Sequence, residues 1–270
     1  MFPFLLNNES FIIDSYSFLF FLGWISGGIL FYYFIKKSNL DLETMLTILC
    51  GCAVGALFGS FILNLILFGQ EELLSKLYHL DFDGMSVVGG ISGGFIGVEF
   101  TKKIIGYKKY TGDLFVIPIL VGHTIGRLGC LLGGCCFGIQ CNLPWKITYP
   151  INSPAYFHQI QHNIISINSL STIAVHPTPV YEMMFNICLL IILYINKSWF
   201  HISGALFRFY IVAYCLFRFL VEFLRADTGI PVLLSLKPIQ INLVIAILYF
   251  SWWLWKNNRN NNTIMVNKIR

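Results

Sequence analysis

Long apolar runs, separated by short polar stretches, fill the chain from residue 15 to residue 256. About 18 or more apolar residues suffice to cross a bilayer as a helix. The pattern predicts seven spans, at 15–35, 44–68, 85–103, 112–137, 178–196, 204–225 and 237–256. The third is the weakest by hydropathy because it is rich in glycine. In its GGISGGFIG stretch Gly89, Gly93 and Gly97 recur every four residues, as do Gly90 and Gly94. Rows of small residues let helices approach closely; the sharper reading is a groove that admits lipid. No internal repeat, long linker or soluble domain interrupts the pattern. The expected architecture is an all-α integral membrane protein with one seven-span domain over 1–256. An external loop at 139–177 and a polar tail without regular structure at 257–270 complete it.

Composition supports the membrane reading. The 270 residues are 56% hydrophobic and 11% charged, with a mean hydropathy of +0.71. A soluble domain this apolar would expose large apolar patches. The opening MFPFLLNNES carries Glu9 and no basic residue, unlike a cleaved signal peptide. Basic residues divide unevenly across a seven-span chain. Lys36, Lys37, Lys102, Lys103, Lys108, Lys109, Lys197, Arg208, Lys256, Arg259, Lys268 and Arg270 fall on one side; Lys76, Lys146, Arg225 and Lys237 fall on the other. Twelve against four predicts a cytoplasmic C-terminus and an external N-terminus. The net charge of +5 is therefore a topology signal. No basic patch interleaved with aromatics points to nucleic acid.

Arg127 and Arg218 remain inside spans, where an ionisable group is a functional suspect. Arg127 lies 15 residues into the fourth span and Arg218 14 residues into the sixth. At about 1.5 Å per residue both stand roughly 21–22 Å deep. They reach the outer half of a bilayer about 30 Å thick. Tyr16 and Glu182 open the first and fifth spans from that side. In YCLFRFLVEFLR, Tyr214, Arg218 and Glu222 are spaced i, i+4, i+8, with Arg225 three residues on. Residues so spaced share a helix face. Arg218–Glu222 and Glu222–Arg225 are expected ion pairs, which could simply lock helices together. Two intramembrane cations with few carboxylates nearby invite an anion, and at the outer leaflet a phospholipid phosphate, which Arg holds bidentately. His123, one turn before Arg127, reads as an interhelical hydrogen-bonding group. His176 opens HPTPVYE, whose prolines suit a helix entry.

The cysteines give a less definite signal. Cys50, Cys52, Cys188 and Cys215 sit in spans as small apolar residues. Cys130, Cys135, Cys136 and Cys141 gather near the outer end of the fourth span. Adjacent Cys135 and Cys136 do not match a common zinc spacing, so no metal is expected. A disulfide on an oxidising face and plain packing are the open alternatives.

Four stretches, IDSYSFLFFLG, GRLGCLLGGCCFG, HPTPVYE and YCLFRFLVEFLRAD, resemble the prolipoprotein diacylglyceryl transferases, seven-span bacterial inner-membrane enzymes. The resemblance implies transfer of diacylglyceryl from phosphatidylglycerol to the lipobox cysteine thiol of a prolipoprotein signal peptide, with glycerol 1-phosphate leaving and a thioether forming. By that likeness Arg127, Arg218, Tyr214 and Glu222 are expected to be catalytic. Arg127, Tyr16, Gly138, His176, Glu182 and Arg225 are expected to bind substrate. Neither cofactor nor metal is implied, and a monomer is expected. The chain departs from the family pattern. Its signature carries Cys130, Gly133 and Cys135 where the family has two asparagines and an acid, and Val88 stands where the family has a histidine. The base that activates the thiol stays open among His123, His176 and arginine-acidified thiol. The rival readings are the same lipid site with another acceptor, a phospholipid-binding or transport paralogue, and a membrane thiol or metal protein built on the Cys130–Cys141 cluster.

Overall fold

The computed structural model describes residues 4–8, 11–68, 87–196, 200, 202–226 and 236–269. Of the basic residues that set the expected orientation, Lys76, Lys197 and Arg270 lie outside these. The main elements are α1 (Ser15–Lys37), α2 (Leu42–Phe68), α3 (Val87–Ile104), α4 (Gly112–Gly133), a short α5 (Pro154–Gln161), α6 (Thr178–Ile195), α7 (Ala205–Val221) and α8 (Pro238–Ile269). Among the described residues, seven long helices overlap the stretches expected to be spans.

Five of them are long and apolar enough to cross a membrane: Ser15–Lys37, Leu42–Leu63, Gly112–Gly133, Thr178–Ile195 and Ile239–Lys256. The other two fall short for visible reasons. Helix α3 carries Glu99, Lys102 and Lys103 besides its glycines. Helix α7 has 17 residues and includes Arg208 and Arg218, and continues as a 3₁₀ turn over Glu222–Leu224.

Two elements differ from expectation. An antiparallel hairpin, β1 (Phe4–Asn8) with β2 (Phe11–Asp14), precedes α1. Its two short apolar runs flank the polar NNES, a turn-forming composition. Helix α8 continues to Ile269 through the Asn-rich tail, in place of the expected tail without regular structure. Once a helix exists, each added residue needs only propagation, so weak helix formers can follow it.

The chain packs as two compact units. One comprises Met1–Phe31, Thr111–Thr228 and Gln240–Arg270; the other comprises Tyr32–Tyr110 and Gly229–Ile239. In the second unit α2 and α3 run antiparallel with their backbones almost touching. A Cβ added at Gly59 would lie 2.6 Å from Gly93 Cα, and one at Gly55 would lie 2.9 Å from Gly97 Cα. The expected glycine row is thus a packing surface, met by a matching row on α2. Val88 is buried on α3. Asp41 caps α2 by accepting from Thr44 N at 2.8 Å.

In the first unit α1 lies antiparallel to α4. A Cβ at Gly23 would meet Gly122 O at 2.7 Å, and one at Gly129 would lie 3.4 Å from Tyr16 Cα. Asp14 caps α1 through Ser17 N at 2.7 Å. The loop at 139–177 is folded. Ser153 caps α5 by accepting from Tyr156 N at 3.2 Å, and Pro154 takes the first helical position. Tyr156 Oη donates to Ile167 O and Ser169 O, both at 2.9 Å. Phe137, Tyr149, Ala155 and Val175 form a small core beneath it.

The α2–α3 contact yields a stability prediction. Replacing Gly93 with Leu forces the helix backbones apart and is expected to destabilise the protein by about 1–3 kcal/mol. Gly28→Ala, with nothing within 4 Å of the added Cβ, should leave the melting temperature of the detergent-solubilised protein nearly unchanged. Equal melting of Gly93→Leu and the parent would refute the close packing.

Candidate active site

Helices α4, α6 and α7 carry the polar groups of the first unit into one cluster. Asp113, in the first turn of α4, accepts from Gly204 N at 2.6 Å and from Phe207 N at 2.9 Å. One carboxylate thereby satisfies orphan amides at the start of α7 and favours its positive end. It also fixes the start of α7 beside the start of α4. From that shared origin the two helices run in the same direction. Arg127 and Arg218, at nearly equal distance from it, arrive at one level.

Glu182, on α6, is the centre where they arrive. It is 0% exposed. Arg127 Nε lies 2.9 Å from its Oε2, Arg218 Nη1 3.7 Å from its Oε1, and Arg225 Nη1 3.8 Å from its Oε1. Arg218 Nη2 also reaches Glu222 Oε2 at 2.7 Å, the ion pair expected from their spacing. His123 joins from the turn before Arg127: its Nε2 is 3.1 Å from Arg127 Nε and 3.5 Å from Glu182 Oε2. With its proton on Nδ1, the imidazole accepts from the guanidinium. Tyr214 packs edge-on to His123 with ring centroids 5.4 Å apart.

Three guanidiniums face two carboxylates, so the cluster holds one net positive charge when His123 is neutral. Its donors are not all used. Arg218 Nη1, Tyr214 Oη and His123 Nδ1 are buried without a hydrogen-bond partner among the described residues. One turn farther along α6, Asn186 is buried with both amide atoms in the same state. Buried polar atoms normally have partners. Both Glu182 carboxylate oxygens also lack a hydrogen bond among the described residues, so donors, acceptors and one net positive charge are all incompletely matched here.

The remaining predicted residues are placed around this centre. Tyr16 is half-buried against the C-terminal end of α4, where its Cβ lies 3.3 Å from a Cβ added at Gly133. It is electrostatically coupled to Arg127 and to Cys130, Cys135 and Cys136. Gly138 allows two strands of backbone to cross closely, since a Cβ there would lie 2.5 Å from His176 Cβ and 2.7 Å from Leu224 O. Its N–H donates to His176 O at 3.0 Å, and Ile139 N donates to Leu224 O at 2.8 Å. These bonds tie the cysteine-bearing signature to the segment that carries Arg225. His176 stands apart from the cluster, with Nδ1 3.0 Å from Tyr181 Oη. Trp145 Nε1 donates to the same hydroxyl at 2.7 Å.

His123, expected as a hydrogen-bonding group one turn before Arg127, is a member of the charged cluster. Other contacts of the site were not foreseen. Asp113 had no signal, because its partners lie about ninety residues away. The sulfurs of Cys136 and Cys130 accept from Arg127 Nη1 at 3.2 and 3.6 Å, a contact that needed the turn geometry after α4.

An apolar, multi-helix membrane protein with a buried arginine–carboxylate centre is the class these features define. The chain belongs to the prolipoprotein diacylglyceryl transferase family, whose model matches residues 3–256. It is similar to proteins named phosphatidylglycerol–prolipoprotein diacylglyceryl transferase. That of Prochlorococcus marinus (strain MIT 9301) is 32% identical over 62% of this chain and 55% of its own length. That of Dehalococcoides mccartyi (strain ATCC BAA-2266 / KCTC 15142 / 195) is 26% identical over 93% and 92%. That of Clostridium tetani (strain Massachusetts / E88) is 29% identical over 80% and 82%. The chain spans about half the length of the Prochlorococcus relatives it matches.

The geometry makes Glu182 the counter-charge for three arginines. Glu182→Gln leaves guanidiniums buried with too little negative charge, and such losses cost about 3–5 kcal/mol. The expected outcome is a large fall in thermal stability in detergent. An unchanged melting temperature would show that the arginines do not depend on this carboxylate.

Proposed function

We propose that this protein transfers a diacylglyceryl group from phosphatidylglycerol to the lipobox cysteine thiol of prolipoproteins in a bacterial cytoplasmic membrane. We read residues 1–256 as one seven-span domain with its N-terminus outside, acting as a monomer. The observation that carries the functional reading is the net positive charge buried around Glu182: three converging guanidiniums facing two carboxylates, with Tyr214 Oη beside them lacking a hydrogen-bond partner among the described residues. A lipid phosphate placed there supplies the negative charge the cluster lacks.

The chemistry follows from where charge develops. The acceptor sulfur attacks a glyceryl carbon, and the carbon–oxygen bond to the phosphate breaks. Negative charge grows on the departing glycerol phosphate. Donors already fixed in a low-dielectric site stabilise it without reorganising. Arg127 and Arg218 act as the catalytic pair on that phosphate, and Arg225 adds to the field. Glu182 and Glu222 hold the guanidiniums in position, and Tyr214 orients the head group. Tyr16, at the outer end of α1, borders the route by which lipid enters. Gly138 and His176 support this arrangement by bracing the signature against the Arg225 segment.

The test is direct. The purified protein in phosphatidylglycerol vesicles, given a lipobox peptide, should yield a thioether-linked peptide and an equivalent of glycerol phosphate. Arg218→Lys keeps the charge but loses the planar fork. It is expected to lower the transfer rate by about 10²–10³-fold while the protein still melts cooperatively. Lipid bound without either product would refute transfer and leave a phospholipid-binding paralogue.

A further inference from the structure

Three sulfurs meet beside the arginines. Cys130 lies in the last turn of α4; Cys135 and Cys136 follow Gly134, whose φ of 77° ends the helix in the left-handed conformation. All three are free thiols, and their Sγ atoms lie within 4.8 Å of one another. This brings together residues whose spacing in the chain argued against a metal. A tetrahedral ion with Zn–S bonds of about 2.3 Å sets its sulfurs roughly 3.8 Å apart. Small side-chain rotations would bring all three to one ion.

Two further observations favour a cation there. Arg127 Nη1 donates to Cys136 Sγ and Cys130 Sγ at 3.2 and 3.6 Å. Three thiolates on a divalent ion leave one negative charge, and this guanidinium would offset it. Moreover, the described residues offer three ligands rather than four. Cys141, the remaining cysteine of the region, is not part of the group; its sulfur accepts from Leu143 N at 3.4 Å. Sites that close with four protein ligands are structural, whereas three ligands leave a position for water or substrate.

We propose that Cys130, Cys135 and Cys136 bind a zinc ion whose fourth position takes up the acceptor thiol as its thiolate. The proposal rests on the transferase reading above. A thiol near its ordinary pKa of about 8.5 is a weak nucleophile when protonated, and one bound to zinc is deprotonated outright. In this step the acceptor thiol releases its proton to solvent as it binds. Its sulfur electron pair then forms the bond to the glyceryl carbon. The carbon–oxygen bond breaks, and its electrons leave on the phosphate oxygen beside Arg127 and Arg218. The product thioether is neutral and a poor ligand, so it departs and the position reopens. Arg127 links the two halves, with Nε on Glu182 and Nη1 on the sulfurs.

Cobalt(II) is the probe. The reduced, chelator-stripped protein should bind one cobalt per chain with a strong sulfur-to-cobalt charge-transfer band. Zinc should displace the cobalt. Cys135→Ser, checked for cooperative melting equal to the stripped parent, should lose the band. A lipobox peptide should shift the ligand-field spectrum, and its Cys→Ser analogue should not. Adding zinc to stripped protein should raise the transfer rate on the order of 10²-fold without altering phosphatidylglycerol binding. Failure to form the band, or a band unchanged in Cys135→Ser, overturns the site. Equal transfer with and without zinc overturns its role, while the transferase reading stands. If cobalt takes up the peptide thiol but no metal yields lipidated peptide, the transferase reading fails and the zinc–thiolate site stands.

Discussion

A carboxylate wholly removed from water, with three guanidiniums turned toward it, is the constraint around which the polar interior of the first unit is organised. Glu182 alone cannot be solvated where it stands, and neither can Arg127 or Arg218. Burial of an isolated ion costs free energy on the order of the stability of a whole domain, so each charge requires the others. Their positions must then be held by elements that do not shift. The Asp113 hydrogen bonds to the start of α7 and the close backbone approach of α1 to α4 meet that requirement. The cluster is thus built from remote anchoring as much as from its own ion pairs.

The same arrangement explains the polar spacing along three helices. His123 and Arg127, Glu182 and Asn186, and Tyr214, Arg218 and Glu222 are each separated by four residues. One turn of rise carries each helix from a charged level to a neutral polar one. Helix α6 runs opposite to α4 and α7, so Asn186 comes after Glu182 in the chain while His123 and Tyr214 come before their arginines. The charged ring therefore has a neutral hydrogen-bonding ring beside it.

Much of this was legible in the chain because membrane helices announce themselves by length and apolarity, and because charges inside them are rare. Arg127, Arg218 and Glu222 stand out on composition alone, and equal depth was enough to bring the two arginines together. The glycine row of α3 was readable as packing, since small residues at a four-residue interval have few other uses. Contacts between distant loops were not readable. Nothing in the sequence links Asp113 to Gly204, or marks Gly138 as the point where two backbones cross too closely for a Cβ. The hairpin before α1 is short and lies outside the helical period. Nor was the meeting of the cysteines readable: Cys130 and the Cys135–Cys136 pair are joined by the left-handed end of a helix at Gly134, which folds the chain back on the last turn.

Arg127 shows why the two chemistries of the site cannot be treated separately. Its Nε serves Glu182 and His123, and its Nη1 serves two sulfurs. A guanidinium has five N–H groups in a fixed plane, so these engagements together fix its orientation. The sulfurs consequently help to set where this cation points within the cluster. A change in their charge alters the field that Glu182 and His123 experience. In a water-poor site such coupling is strong, because little solvent intervenes to screen it. Arg127 is therefore the physical link between the charged cluster and the cysteine-bearing signature.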